Sequence, residues 1–132
     1  MRLREPSKTM ARILIAEDDD VLRNFLMRAL GGDGHELTEA ADGASALEAL
    51  NQSNGNFDLL LTDVKMPVMD GIALALETGR SHPDVAIMLM TGYADQHERA
   101  HGLDALVHDV LAKPFSIDEI TGAVREALVW RH

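Results

Sequence analysis

Apolar residues fall along this chain in two alternating patterns. Short unbroken runs occupy Arg12–Ala16 (RILIA), Asp58–Thr62 (DLLLT), Val85–Met90 (VAIMLM) and Leu106–Ala112. Between them, apolar residues recur every three or four positions. A short run without polar alternation predicts a strand buried on both faces, and helical spacing predicts an amphipathic helix packed on it. After the first run, Val21, Leu22, Phe25, Leu26, Ala29 and Leu30 predict a helix, with Asp20 as its N-cap and Gly31-Gly32 as its stop. His35–Ala40 reads as a short, weak strand. Asp42-Gly43 then turns into a helix through Leu47 and Leu50, which ends in the polar loop Asn51–Asn56. Val68–Arg80 predicts a helix with Ile72, Leu76 and Gly79 on one face, stopped before Pro83. Asp95–Leu103 predicts a poor, polar helix. Ser116–Trp130 predicts the last one, opened by a Ser116/Glu119 capping box and striped by Ile117, Ile120, Val124 and Leu128. Strand and helix thus alternate five times without a repeat. The order predicts one α/β domain with a five-stranded parallel sheet and helices on both faces.

The 132 residues suffice for one such domain and hardly two. Residues 1–10 are polar, carry Pro6 and are locally basic through Arg2, Arg4 and Lys8, which predicts a flexible tail ahead of a domain over 11–130. Cysteine is absent, which removes disulfides and thiolate chemistry and suits a cytoplasmic protein. No apolar run approaches the ~18 residues of a membrane span, and no apolar segment backs the basic start as a secretory signal would. A formal net charge of −10 argues against a nucleic-acid partner, which calls for a basic surface.

The stretch Leu59–Gly71, LLLTDVKMPVMDG, changes this picture most. Its apolar run stops abruptly at Thr62-Asp63, and Pro67 and Asp70-Gly71 mark a loop and a turn. Asp63 is therefore expected at the carboxyl end of a central strand, where open α/β sheets place ligand sites. On this segment alone, a helix-capping or solvated loop carboxylate explains it equally well. The other strand ends tip the balance. The first delivers Glu17 and Asp18, the fourth Thr91 and the fifth Lys113. Three clustered carboxylates raise one another's pKa, and a hard divalent cation such as Mg2+ relieves the repulsion. An Asp beside such a cation and an ammonium is a nucleophile suited to phosphorus, and a threonine hydroxyl can bond a phosphoryl oxygen of the product.

These pieces, ILIAEDD at 13–19, LLLTDVKMPVMDG at 59–71, MTGYA at 90–94 and AKPF at 112–115, resemble the receiver domain of two-component response regulators over about residues 11–130. The resemblance implies a doubly wound, flavodoxin-like (βα)5 fold and a phosphoacceptor role for Asp63. It implies Mg2+ ligation by Asp18, Asp63 and the Lys65 carbonyl, with Glu17 acting through water. Thr91 takes the place of the switch hydroxyl and Lys113 that of the phosphate-binding lysine, followed by a cis bond to Pro114. Asp19 and Asp20 fall to loop and cap roles. The implied partners are a histidine kinase or histidine phosphotransfer protein and a downstream protein target. The 95–103 helix is the poorest and lies beside Thr91, so the output surface is expected to span it, the fifth strand and the last helix. One departure stands out: the switch aromatic of many receivers is replaced here by Val110, with Tyr93 the nearest aromatic. The two residues after Trp130 leave no room for an output domain, so the chain reads as a stand-alone receiver. The EDDD start and the 59–71 core resemble CpdR-type single-domain regulators, which act as adaptors for an AAA+ protease. Those commonly carry a hydrophobic C-terminal tail, whereas this chain ends in Trp130-Arg131-His132.

Three rival readings compete. His97-Glu98-Arg99-Ala100-His101 spells the H-E-x-x-H zinc-hydrolase motif. Arg99 inside it, Gly102 after it and His108 as the sole nearby third ligand speak against zinc. An aspartyl phosphatase of the haloacid dehalogenase type wants a second Asp two residues after the nucleophile, where Lys65 stands. A receiver-like adaptor that is never phosphorylated would not call for the complete set of Glu17, Asp18, Asp63, Thr91 and Lys113. Met66, Met69, Met88 and Met90 read as core and loop filler rather than a partner-binding stripe.

Overall fold

The computed structural model describes residues 10–92, 100, 102–103 and 105–130. The elements run β1 (Arg12–Ala16), α1 (Asp20–Gly32), β2 (Glu36–Ala40), α2 (Gly43–Gln52), β3 (Leu59–Asp63), α3 (Gly71–Ser81), β4 (Ala86–Thr91), β5 (Asp109–Ala112) and α4 (Ile117–Trp130). All strand pairs are parallel, in the order β2-β1-β3-β4-β5. Most of the polar helix expected over 95–103, the motif residues His97, Glu98, Arg99 and His101, Tyr93 and nearly all of the 1–10 tail lie outside the described residues. No helix among the described residues is long and apolar enough to cross a membrane.

The three inner strands are buried on both faces, as their unbroken apolar runs require. Ile13, Ile15, Leu59, Leu61, Met88 and Met90 point to one side, where Leu26 and Leu30 of α1 and Ile120 and Val124 of α4 cover them. Leu14, Leu60, Ile87 and Leu89 point to the other, under Leu50 of α2 and Leu74 and Ala75 of α3. The alternation follows from the two-residue period of a strand. Each fully buried leucine of β3 contributes roughly 1.5–3 kcal/mol relative to exposure. Met66, Met88 and Met90 are buried and Met69 is partly so, which bears out their reading as filler. The outer strands are of another kind: Glu36, Thr38 and Glu39 of β2 are exposed, and β5 has only four residues, none fully buried.

Several boundaries differ from expectation for local reasons. The N-cap of α1 is Asp19, not Asp20: its carboxylate accepts the amides of Val21 and Leu22 at 2.9 and 3.2 Å. The helix also runs through Gly31 and Gly32. It ends in a Schellman motif at Gly34 (φ 94°), whose N–H reaches the Gly31 carbonyl while that of His35 reaches Leu30. Asn54 (φ 56°) closes α2 in the same way, with Gly55 N–H on the Leu50 carbonyl at 2.7 Å. α3 starts at Gly71 instead of residue 68. Val68 is held at φ 70° while Met69 N–H bonds the Pro67 carbonyl at 2.8 Å, a γ-turn that a helix cannot contain. The buried face of α3 is Gly71, Leu74, Ala75 and Thr78, and Leu76 is exposed. β5 starts three residues later than its apolar run, because Leu106 turns to pack against Gly79. In α4 the Ser116/Glu119 box forms in both directions, at 2.8 and 3.0 Å, but Ile117 stands exposed.

Candidate functional site

The order of the strands reverses between β1 and β3, and the crevice beyond their carboxyl ends is where open sheets bind ligands. Glu17 and Asp18 leave β1 there, and Asp63 ends β3 there. One carboxylate oxygen from each of the three lies within 4.8 Å of the others. An open cleft of about 470 Å3 forms over them, lined also by Asp19, Lys65, Gly92, Lys113 and Pro114.

Local structure pins Glu17, Asp63 and Lys113. The Glu17 amide bonds the Ala40 carbonyl of β2 at 3.0 Å, and its Oε2 accepts the Asp19 amide at 3.0 Å. Asp63 Oδ1 accepts the amide of Val64 at 3.1 Å and lies 2.9 Å from Lys113 Nζ. Lys113 also reaches Glu17 Oε1 at 3.4 Å, and its own amide bonds the Thr91 carbonyl at 2.8 Å. The Lys113-Pro114 bond is cis. Gly71 allows the loop after Asp63 to fold back: a Cβ there would stand 1.9 Å from the Asp63 carbonyl oxygen. Gly43 does the same service for α2, where a Cβ would meet the Met69 carbonyl at 2.1 Å. All five strands are parallel, so their carboxyl ends face one way.

Burial dominates the electrostatics. It pushes the Glu17 carboxyl up to about 7; the Asp19 amide and Lys113 oppose it, and neighbouring Asp63 adds to it. Burial likewise raises Asp63 above the ordinary aspartate range in spite of Lys113. Burial alone would lower Lys113, yet Asp63 and Glu17 hold it above its ordinary value. Three carboxyl groups thus face one ammonium in a setting where burial disfavours their ionised forms. The cluster's donors are hard carboxylate oxygens on a partly open cleft, a set that fits a hydrated Mg2+.

Thr91 is buried as the last residue of β4, next to cleft-lining Gly92. Val110, standing where an aromatic was sought, is half-buried in β5 opposite Leu89. Of the run Glu17–Asp20, the first two face the cleft, Asp19 caps α1 and Asp20 pairs with Arg23 at 2.6 Å. Arg23 is a residue that sequence reasoning passed over. Its only signal is its place one turn into a helix that follows four acids.

The profile described as "Response regulator receiver domain" matches residues 13–125. The chain is 40% identical over 120 residues to the response regulator receiver protein CpdR of Brucella abortus, covering 91% of this chain and 98% of that protein. It is 39% identical over 119 residues to sensor kinase CckA of the same organism, 89% of this chain but 12% of that protein. Among solved structures, the response regulator TrrA of Thermotoga maritima in complex with Mg2+-BeF is similar, with a TM-score of 0.80 and 31% identity, covering 90% of this chain and all of that one.

Proposed function

This chain belongs to the response regulator receiver domain family, and we propose that Asp63 is its phosphoacceptor and that phosphorylation switches binding of a partner protein. The observation that carries the reading is the convergence of Glu17, Asp18, Asp63 and Lys113 at the switch point of the sheet. Among the described residues, the Val64 amide and Lys113 both contact Oδ1 of Asp63, so Oδ2 is the attacking oxygen in this reading. It forms the new O–P bond as the P–N bond of a phosphohistidine breaks. The electron pair of that bond returns to the imidazole nitrogen. Lys113 moves its charge toward the transferred phosphoryl oxygens, and Thr91 supplies a hydroxyl to the acyl phosphate. Glu17 and Asp18, with Asp63 and the Lys65 carbonyl, would hold Mg2+, which neutralises phosphoryl charge when bound.

The donor is a histidine kinase or histidine phosphotransfer protein. An apolar groove of about 380 Å3 opens beside the cleft between Val21, Leu22 and Phe25 of α1 and Pro114-Phe115, and it offers such a protein a seat. Likeness to CpdR over nearly its whole length supports a protein as the target, with an AAA+ protease the first candidate to test. Incubation with acetyl phosphate and Mg2+ is expected to add one phosphoryl mass, labile to hydroxylamine. Asp63→Asn keeps the shape and removes the nucleophilic charge, so it should abolish the addition and leave the fold intact. An Asp63→Asn protein that gains the mass at the wild-type rate refutes the assignment. A wild type that never gains it, from acetyl phosphate or any kinase, while still binding a partner favours the unphosphorylated adaptor instead.

A further inference from the structure

Four acids stand in a row at Glu17–Asp20, and only the first two contribute to the cluster with Asp63. The helix cap accounts for Asp19. Arg23 accounts for the rest. Its guanidinium donates three hydrogen bonds, one each to the loop after β1, to its own helix and to β2. Nη1 bonds the Glu17 backbone carbonyl at 2.8 Å, Nη2 the Asp20 carboxylate at 2.6 Å, and Nε the Glu39 carboxylate of β2 at 2.9 Å. The side chain is 16% exposed, so most of it is covered and its fork is held by these partners. A planar fork with five donors can satisfy three acceptors in fixed directions, and a lysine ammonium on a flexible stem cannot do so here.

We propose that Arg23 is a positioning residue for the cation site: it sorts the acidic run, fixing the loop that aims Glu17 and Asp18 at Asp63 and holding Asp20 away. The inference rests on the reading of Glu17, Asp18 and Asp63 as the Mg2+ site. The bond to the Glu17 carbonyl completes the fastening of that residue, whose amide, Oε1 and Oε2 are engaged by Ala40, Lys113 and Asp19. The two carboxylate pairs are surface contacts, with Asp20 and Glu39 at 80% and 48% exposure. Alone they would do little. Their effect is to lock the guanidinium where the carbonyl needs it.

Positioning and simple charge predict opposite signs. Deleting a positive charge near a cation site strengthens cation binding if charge is all that matters. If Arg23 holds ligands in place, its loss weakens binding, on the order of tenfold as for other residues that orient metal ligands. The experiment is Mg2+ titration by NMR, following the Val64 and Asp63 amides, in wild type, Arg23→Gln, Arg23→Lys and Asp18→Asn. Thermal melts in EDTA and in Mg2+ report folding separately. Weaker Mg2+ binding in both Arg23 variants is the expected result, and Arg23→Lys carries the argument if Arg23→Gln does not fold, because it keeps the charge. Unchanged or tighter binding in the Arg23 variants, with Asp18→Asn weakened, overturns the proposal even if their melting temperature drops. Should wild type and Asp18→Asn respond to Mg2+ alike, the underlying site assignment has failed, and this inference falls with it.

Discussion

Replacing Glu17 by glutamine separates what the acidic cluster costs the fold from what it offers a ligand. Glu17 is 1% exposed, and burial raises its carboxyl from 4.5 to about 7. The unfolded chain releases this proton near pH 4.5 and the folded chain near 7. Between those values the folded state holds more protons, so this group's contribution to stability falls as pH rises, and the loss is complete above about 7. At roughly 1.4 kcal/mol per unit, the ionised carboxylate destabilises the metal-free fold by about 3 kcal/mol. Glutamine is nearly isosteric with the protonated form and can still accept the Asp19 amide, but it gives up the 3.4 Å contact with Lys113. We therefore expect Glu17→Gln to stabilise the protein in EDTA at pH 8 by about 1–2 kcal/mol, a few degrees in melting temperature, and hardly at all at pH 5. Comparison with wild type at each pH matters because His35 acts in the other direction. Its pKa is lowered by burial, so stability from that group is lost as pH falls below about 6.5. The same substitution should remove most of the Mg2+ response. For a site of millimolar order, ~10 mM Mg2+ adds about 1.4 kcal/mol to wild type. Urea melts at both pH values, with and without Mg2+, make the measurement. A glutamine variant less stable than wild type at pH 8 in EDTA, or a gain of equal size at pH 5, refutes the reasoning.

Two further predictions concern the loop after Asp63. Val68→Gly should raise stability by up to about 1 kcal/mol by urea melt, since an exposed β-branched residue at φ 70° is strained and glycine is not, the gain being offset by glycine's freedom in the unfolded chain. A loss of more than that amount means that the γ-turn is not strained as described. Gly71→Ala should cost about 3 kcal/mol or more and displace Asp63, because a methyl group would overlap the Asp63 carbonyl. Near-wild-type melting with unchanged Asp63 and Val64 amide shifts would contradict that close approach.

The parts of the molecule that were legible in the sequence are those governed by burial. β1 was readable to the residue, because RILIA has to be apolar on both faces of a central strand. Glu17, Asp18, Asp63 and Lys113 were readable because a parallel sheet gathers strand ends on one edge. What stayed hidden depends on geometry finer than a pattern. Asp19 and Asp20 are equally good caps as residue types, and only the path of the loop chooses between them. Apolarity at Leu106 looks like strand continuation, yet it serves a contact with Gly79. Leu76 and Leu74 both fit a helical stripe, and the two-residue difference puts one in solvent and the other in the core. Nothing in the string of letters announces a valine in the left-handed region, or an arginine whose three bonds tie its own helix to the preceding loop and to β2.

The two outer strands bear on how the protein behaves when concentrated. A sheet edge presents unpaired amides and carbonyls that can template another chain, and self-assembly through such edges is a standing hazard of open sheets. Among the described residues, the edge on one side is β2, which sets Glu36 and Glu39 outward in a strand of five residues. On the other it is β5, four residues long and too short to offer much pairing. With a net charge of −10, two copies approaching edge to edge meet electrostatic repulsion before they meet a usable ladder. Among the described residues, strand addition is thereby disfavoured at both edges of the sheet.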